Sequence, residues 1–141
     1  MVDRDVLAAK LAELTLRVSR VRAHCPASAD VLGASTDALD LVAFNLMLAV
    51  QCSVDVATHI IAEQRWPTAA SLADAFDRLA EHGVIALSTR DSMRGATRIR
   101  NIVAQGYAGL DVPKLHDAAT RGLAELERLG SEVAVWLASQ P

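Results

Sequence analysis

The sequence predicts an all-α fold: an antiparallel helical bundle of four to five helices, in a single domain that spans residues 1–141. Apolar residues recur at helical spacing along most of the chain. Hydrophobic residues make up 52% of it and aromatic residues only 4%, and the abundant alanine, leucine and valine favour helices over strands. No stretch alternates between polar and apolar residues for long enough to indicate a strand.

The first helix is predicted over residues 2–23. Its apolar residues recur three or four positions apart, as one buried face requires: Leu7, Leu11, Leu14, Val18 and Val21. Pro26 ends this helix, because proline lacks the N–H that a helix interior needs. Ser28 and Asp30 then predict a loop or a short turn.

The second helix, predicted over residues 35–64, is the longest. Ser35 or Thr36 caps its first turn, and Pro67 marks its end. Its apolar residues cover most of the circumference: Leu39, Val42, Phe44, Leu46, Val50, Val56 and Ile60. A helix that is apolar on nearly all sides belongs at the centre of a bundle.

Three more helices complete the predicted bundle. The third begins after Ser71, carries Asp74 in its first turn and ends at Gly83. The fourth covers about residues 84–105. Pro113 suits the first turn of the last helix, which we expect to continue to about residue 138. The short connections favour antiparallel neighbours.

Charge and cysteine usage narrow the class of protein. The net charge of −3 does not indicate a nucleic-acid partner, so only a local cluster of basic residues could. Cys25 and Cys52 form no Cys-x-x-Cys motif, and the charged N-terminus does not resemble a signal sequence, so we predict a reduced cytoplasmic protein. The longest apolar run, residues 38–50, is too short to span a membrane and contains Asp40.

A line of polar residues, Gln51, Asp55 and His59, follows one side of the longest predicted helix. Asp55 and His59 could bind a metal together, but no third and fourth ligand is evident from the spacing, and we expect neither a metal nor another cofactor. A second interpretation is the wall of a polar cleft that faces Arg100. The default interpretation is a hydrogen-bonded pair in the core or at a dimer interface.

A basic stripe lies on the fourth predicted helix, where Arg90, Arg94 and Arg98 are four residues apart. Such a stripe could follow a phosphate backbone, which makes Arg94, Arg98 and the nearby Asn101 candidate substrate-binding residues. The alternative is a solvated face whose arginines pair with acids of a neighbouring helix, namely Asp74, Asp77 or Glu81.

The most informative segment is the one that contains Arg100, Gln105 and Tyr107, the only tyrosine of the chain. Arg100 and Tyr107 share a face if the helix continues, and residue 105 then points away from both. Either the helix breaks before Gly106 and the chain turns back, or a partner chain completes the site. If there is no site, Tyr107 is simply an aromatic residue at a helix end with its hydroxyl in water.

Several segments resemble the HepT-like group of HEPN-domain proteins, and the similarity extends over most of the chain. They are residues 44–63, residues 72–85, and the pattern of Arg100-Asn101 followed by Tyr107 and Asp111. The family motif is Arg-x4-His-x-Tyr, and Gln105 stands here in the place of its histidine. The resemblance implies a helical bundle that forms a homodimer, with the two motifs facing each other across a cleft.

The resemblance also implies an activity and a partner. It implies a metal-independent ribonuclease toxin, with transfer RNA as a target and with Arg100, Gln105 and Tyr107 as the catalytic positions. Asp55 and His59 match positions of the family's long helix and would support the cleft. The implied partner is a minimal nucleotidyltransferase antitoxin that transfers AMP onto the motif tyrosine, here Tyr107.

Gln105 changes what this motif can do. Histidine transfers protons near neutral pH, whereas the glutamine amide does not. Loss of an acid–base group typically lowers a rate by about 10²–10⁴-fold, so we expect weakened cleavage unless His59 or His116 serves as the base. The alternative is a non-catalytic HEPN module that binds RNA or a nucleotidyltransferase partner and cleaves nothing.

Overall fold

The computed structural model describes residues 2–141 and confirms the all-α prediction. Within that range the chain forms seven helices and no strand, with these bounds: α1 Arg4–His24, α2 Ala29–Ala34, α3 Thr36–Gln64, α4 Leu72–Glu81, α5 Leu87–Ala104, α6 Val112–Thr120 and α7 Gly122–Ala138. The prediction of four to five helices was therefore too low. The two additional helices come from a segment predicted as a turn and from a break in the last predicted helix.

The segment after Pro26 forms the short helix α2 where a loop or a short turn was predicted. The Ser28 side chain caps it by accepting a hydrogen bond from the Val31 N–H at 3.2 Å. Leu32, on the inner side of α2, is fully buried. The serine cap and the packing of this one leucine together stabilise a helix here, and the helix contacts α3 and α6.

The last predicted helix divides at Arg121 into α6 and α7. The Thr120 hydroxyl donates a hydrogen bond of 2.7 Å to the His116 carbonyl oxygen, a contact that bends helices. Gly122 follows, and glycine is a poor helix former. Arg121 itself keeps helical dihedral angles, so the break is slight.

The start of α5 was also predicted three residues too early. Gly83 adopts a φ of +75° just after α4, as predicted for a helix-ending glycine. Val84 and Ile85 are then buried in the connection, and α5 begins only at Leu87. Their burial explains why the apolar pattern alone made them resemble part of the helix.

α3 is the centre of the bundle, as predicted, and it contacts each of the other six helices. Ser35 caps it through a hydrogen bond from the Ala38 N–H at 3.2 Å. Its fully buried residues, each with 0% exposure, include Val42, Ala49, Val56, Ala57 and Ile60. The other six helices thus pack around α3 as a central apolar helix.

Among the described residues, α3 is the one helix with the length and apolar character to cross a membrane, with a mean hydropathy of 1.6 over its most apolar window. The apolar run of residues 38–50, which is too short to span a membrane, is only part of this helix of 29 residues. However, 61% of that window is buried inside the bundle. That burial is typical of the core helix of a globular fold.

We predict that Leu32→Ala destabilises the fold by about 2–5 kcal/mol, because the leucine side chain is fully buried and its loss leaves a cavity. Val31→Ala on the same short helix is the matched control, since Val31 is 56% exposed and should cost less than about 0.5 kcal/mol. Urea unfolding of the two variants measures the difference. Equal losses would show that α2 is not packed as described.

Candidate active site

The segment of interest lies at the end of α5, where the helix breaks before Gly106. α5 ends at Ala104, Gln105 is its C-cap, and Gly106 has a φ of +85°. The Tyr107 N–H donates to the Ile102 carbonyl oxygen at 3.1 Å, which closes the helix end. Of the two arrangements considered from the sequence, the structure therefore shows the turned chain.

Tyr107 lies in the turn with a φ of +72°, a left-handed conformation that is costly for an aromatic residue. Its ring is half-buried against the core, and its hydroxyl donates a hydrogen bond of 2.9 Å to Asp40 Oδ1. Burial raises the pKa of the Tyr107 phenol, and the hydrogen bond to Asp40 and its charge raise it further. The hydroxyl is thus held by α3 and is not simply a helix-end group in water.

Arg100 reaches from α5 to α3. Its Nη2 donates to Gln51 Oε1 at 2.8 Å, and its Nη1 donates to Asn101 Oδ1 at 3.2 Å. The Nε of Arg100 is buried and has no hydrogen-bond partner among the described residues. The guanidinium is therefore oriented by Gln51 and still has donors to offer.

Gln51 is itself held by a chain of contacts that continues to α1. Its Nε2 donates to Asp55 Oδ1 at 2.9 Å, and Lys10 Nζ donates to Asp55 Oδ2 at 3.4 Å. The hydrogen bond to Asp55, and next the charge of its carboxylate, raise the pKa of Lys10. These contacts favour the interpretation of Gln51 and Asp55 as a polar wall that faces Arg100.

Other groups considered for the chemistry lie in different surroundings. His59 is half-buried, and its Nε2 has no hydrogen-bond partner within the described part of the chain. His116 Nε2 lies 2.8 Å from the Pro26 carbonyl oxygen, which ties α6 to the α1–α2 connection. Burial raises the pKa of the Cys52 thiol to about 11, so this thiol is neutral at physiological pH.

No group of three or more histidine, cysteine, aspartate or glutamate side chains among residues 2–141 is placed to hold a metal ion. Gln105 is exposed, and its side chain makes no hydrogen bond to another described residue. Its amide is therefore free to approach a ligand that lies over the turn.

The basic stripe of α5 is partly neutralised by acids. Arg94 Nη2 lies 2.7 Å from Asp77 Oδ1, and Arg90 Nη2 lies 2.9 Å from Asp91 Oδ1. Arg98 is exposed and makes no ion pair within the range that the structure describes. The expected pairing with an acid of α4 therefore applies to Arg94. It applies to Arg90 only through a longer contact of 4.0 Å between its Nε and Asp77 Oδ1, and not to Arg98.

Arg94, Arg98 and Asn101 line one open groove between α4 and α5, with a cavity volume of about 560 Å³. Asp74 and Asp77 line the same groove from α4. All three predicted substrate-binding residues are thus brought together, next to Arg100 in the chain.

An apolar surface on α3 separates the two polar contacts of the site. Leu41, Phe44 and Leu48 lie between Asp40 and Gln51 at helical spacing. Phe44 is 51% exposed, and the two leucines are half-buried. We call Leu41, Phe44 and Leu48 the α3 apolar patch.

Comparison with known proteins identifies the family. The family described as ribonuclease HepT-like matches residues 14–133. The chain belongs to this family. The match includes α3, α5 and the turn with Tyr107, so the HepT-like assignment covers every residue of the candidate active site except Lys10.

Solved structures have the same HepT-like fold. One is a toxin–antitoxin complex with AMP-PNP, at a TM-score of 0.87 and 20% identity, covering 94% of this chain and 99% of the other. A tri-AMPylated HEPN toxin of Shewanella oneidensis in complex with an MNT antitoxin has a TM-score of 0.86 and 20% identity over the same shares. YutE of Bacillus subtilis, a cytosolic protein of unknown function, has a TM-score of 0.84 and 16% identity over 98% and 92%. No curated protein sequence matches the chain.

Sequence reasoning missed Asp40 and Lys10 as members of the site. Asp40 was noted only as a charge within an apolar run, and Lys10 lies on α1, far from the motif in sequence. For Asp40 the sequence did hold a signal, because an acid within an apolar helical run indicates a functional or paired carboxylate. For Lys10 the sequence held no such signal.

We predict that the pKa of Tyr107 lies above the ordinary value of about 10 and falls in Asp40→Asn, because that change removes the negative charge that disfavours the phenolate. Alkaline titration followed by tyrosinate absorbance reports this residue alone, since the chain has one tyrosine. Asp37→Asn, one turn earlier on α3, should leave the pKa unchanged. Identical titrations of all three proteins would contradict the Tyr107–Asp40 contact.

Proposed function

We propose that this chain is the toxin of a toxin–antitoxin pair and a metal-independent RNA endonuclease, with transfer RNA as its target. The observation that carries the proposal is the guanidinium of Arg100, oriented by Gln51 beside the turn that presents Gln105 and Tyr107, in a chain of the HepT-like ribonuclease family. A cytoplasmic location accords with the description of YutE as cytosolic.

In this proposal Arg100 binds the phosphate at which the RNA is cut. A guanidinium is always charged at physiological pH and binds phosphate through two N–H groups. Gln51 uses one N–H of Nη2 and Asn101 uses one N–H of Nη1, so each of these nitrogens has a second N–H for a phosphate oxygen. The same cation stabilises the additional negative charge of the pentavalent transition state.

Gln105 orients the substrate but transfers no proton. Its exposed amide can donate to a phosphate oxygen or accept from the ribose 2′-hydroxyl. Without an acid–base group at this position we expect cleavage about 10²–10⁴-fold slower than with histidine. The second candidate function, a non-catalytic HEPN module that binds RNA or a nucleotidyltransferase, is favoured by this one substitution.

The groove between α4 and α5 provides the path for the RNA backbone. Arg98 is exposed and unpaired within the described chain, so it is available to a phosphate. Arg94 would exchange Asp77 for phosphate, because an exposed ion pair contributes only about 0–1 kcal/mol. Asn101 adds a neutral hydrogen-bonding group beside Arg100.

The proposed active unit is a homodimer formed through the α3 apolar patch. Phe44 is a large apolar side chain with 51% exposure, and it lies between the two polar contacts of the site. A second chain docked on this patch would bring two copies of Arg100 to one cleft. Burial of the patch supplies the driving force for association.

The proposed regulator is a minimal nucleotidyltransferase antitoxin that transfers AMP onto Tyr107. The tri-AMPylated toxin of Shewanella oneidensis in complex with its MNT antitoxin supports this proposal. Tyr107 lies in an exposed turn between Gly106 and Gly109, where another enzyme can reach it. An attached AMP would add a phosphate to the open face of α3, about three turns along that helix from the Gln51–Arg100 contact, and would compete with the RNA backbone for this surface.

We predict that Gln105→His raises ribonuclease activity toward transfer RNA by about 10²-fold or more, because it introduces a proton-transfer group with a pKa near 6.5. Arg100→Ala in that background should abolish the gain, and EDTA should not affect it. Cleavage is measured by gel electrophoresis of the RNA. Equal cleavage by the Gln and His forms would exclude residue 105 as the base, and loss with EDTA would exclude the metal-independent mechanism.

We predict that the unaltered chain has about twice the 15.0 kDa chain mass in light scattering and that Phe44→Glu is monomeric. The reason is that a charge in the α3 apolar patch must be desolvated when the patch is buried. Val135→Glu is the matched control, since Val135 is also exposed but lies on α7. A monomeric unaltered chain, or dissociation by Val135→Glu alone, would contradict this interface.

We predict that incubation with the partner nucleotidyltransferase and ATP increases the intact mass of the chain by one or more AMP units. Tyr107→Phe removes the acceptor oxygen and should abolish the increase. Gln105→His should be modified as the unaltered chain is, because residue 105 is not the acceptor. A mass increase that persists in Tyr107→Phe would contradict the assignment.

A further inference from the structure

The contact between Tyr107 and Asp40 places a carboxylate against the hydroxyl that the proposed function modifies. The Tyr107 hydroxyl donates to Asp40 Oδ1 at 2.9 Å, across the gap between the α5–α6 turn and the first turns of α3. Asp40 is exposed and has no other hydrogen-bond or ion-pair partner in the described part of the chain. Its second oxygen therefore has no partner among these residues.

We propose that Asp40 accepts the phenolic proton of Tyr107 when a nucleotidyl group is transferred to it. The phenolic oxygen forms a bond to the α-phosphorus of a nucleoside triphosphate, and the bond from that phosphorus to the pyrophosphate leaving group breaks. The proton passes from the phenol to Asp40 and then to water. This inference rests on the proposed modification of Tyr107 and names a residue of this chain that takes part in it.

The chemistry of a phenol requires such an acceptor. A tyrosine hydroxyl is protonated at neutral pH, because its ordinary pKa is about 10. The neutral oxygen becomes a strong nucleophile only as its proton leaves. A general base must lie within about 2.6–3.2 Å of the oxygen that loses the proton, and Asp40 Oδ1 lies within that range.

The backbone of the turn holds the phenol in this position. Tyr107 has a φ of +72°, and the Leu110 N–H donates to the Tyr107 carbonyl oxygen at 3.0 Å. A left-handed aromatic residue is retained only where the surroundings fix it, and such residues cluster at functional sites. The strained turn and the carboxylate together orient the hydroxyl before any partner arrives.

Among the described residues, no neighbouring charged group other than Asp40 makes a hydrogen bond to the Tyr107 hydroxyl. Asp111 accepts a hydrogen bond from the Lys114 N–H at 3.1 Å as the cap of α6. Arg100 is bound to Gln51. Asp37 lies one turn before Asp40 and makes no hydrogen bond to Tyr107 within residues 2–141. Asp40 is thus the acid that the structure brings to the phenol.

The experiment measures the rate of nucleotidyl transfer to the full chain by the partner nucleotidyltransferase with ATP, read by intact mass, between about pH 6 and pH 10. For the unaltered chain we expect a rate that changes little above neutral pH. For Asp40→Asn we expect a loss of about 10²-fold at neutral pH, with the rate then rising about tenfold per pH unit as hydroxide generates the phenolate. Asp37→Asn should match the unaltered chain.

Each other outcome overturns the inference. An Asp40→Asn profile parallel to that of the unaltered chain, whether equal in rate or slower at every pH, would mean that Asp40 accepts no proton. As a control, circular dichroism and urea unfolding would be compared between Asp40→Asn and the unaltered chain, and we expect both to match. An unaltered chain that gains no mass at any pH would overturn the proposed modification itself, and that result is distinct from a defect confined to Asp40→Asn.

Discussion

The burial of α3 is the constraint on which the rest of the molecule depends. This helix of 29 residues contacts each of the other six, and its position is fixed because turning it would expose apolar residues on nearly every side. Only one of its faces is partly open, and this face carries Asp40, the α3 apolar patch, Gln51 and Asp55. The candidate active site is therefore located by the core helix, although its motif belongs to α5 and the turn after it.

The motif acquires its geometry from two contacts with this face. Gln51 binds Arg100 and Asp40 binds Tyr107, so the two motif residues are held about three turns of α3 apart along one open surface. In the proposed homodimer, the apolar patch between them would contact the second chain. Binding of phosphate, association and modification would thus all take place on one side of the bundle, which explains how a change at Tyr107 could control what happens at Arg100.

The sequence predicted the fold class and the motif but not how the motif is held. Apolar periodicity and caps located α1, α3 and α4 to within a few residues, because those signals are local. α2 and the division at Arg121 were missed, since they depend on the packing of Leu32 and on the Thr120 hydroxyl. The partners Asp40 and Lys10 depend on the rotation of separate helices about their axes, which no spacing along the chain encodes.

A double-mutant cycle between Gln51 and Arg100 tests most directly the claim that α3 positions the motif. The free energy of unfolding would be measured by urea for Gln51→Ala, Arg100→Ala and the double variant. A hydrogen bond to a charged group contributes about 1.5–3 kcal/mol, so the double variant should lose less than the sum of the single losses by about 1 kcal/mol or more. Losses that add to within about 0.3–0.5 kcal/mol would show that the two side chains do not interact, and would contradict the account.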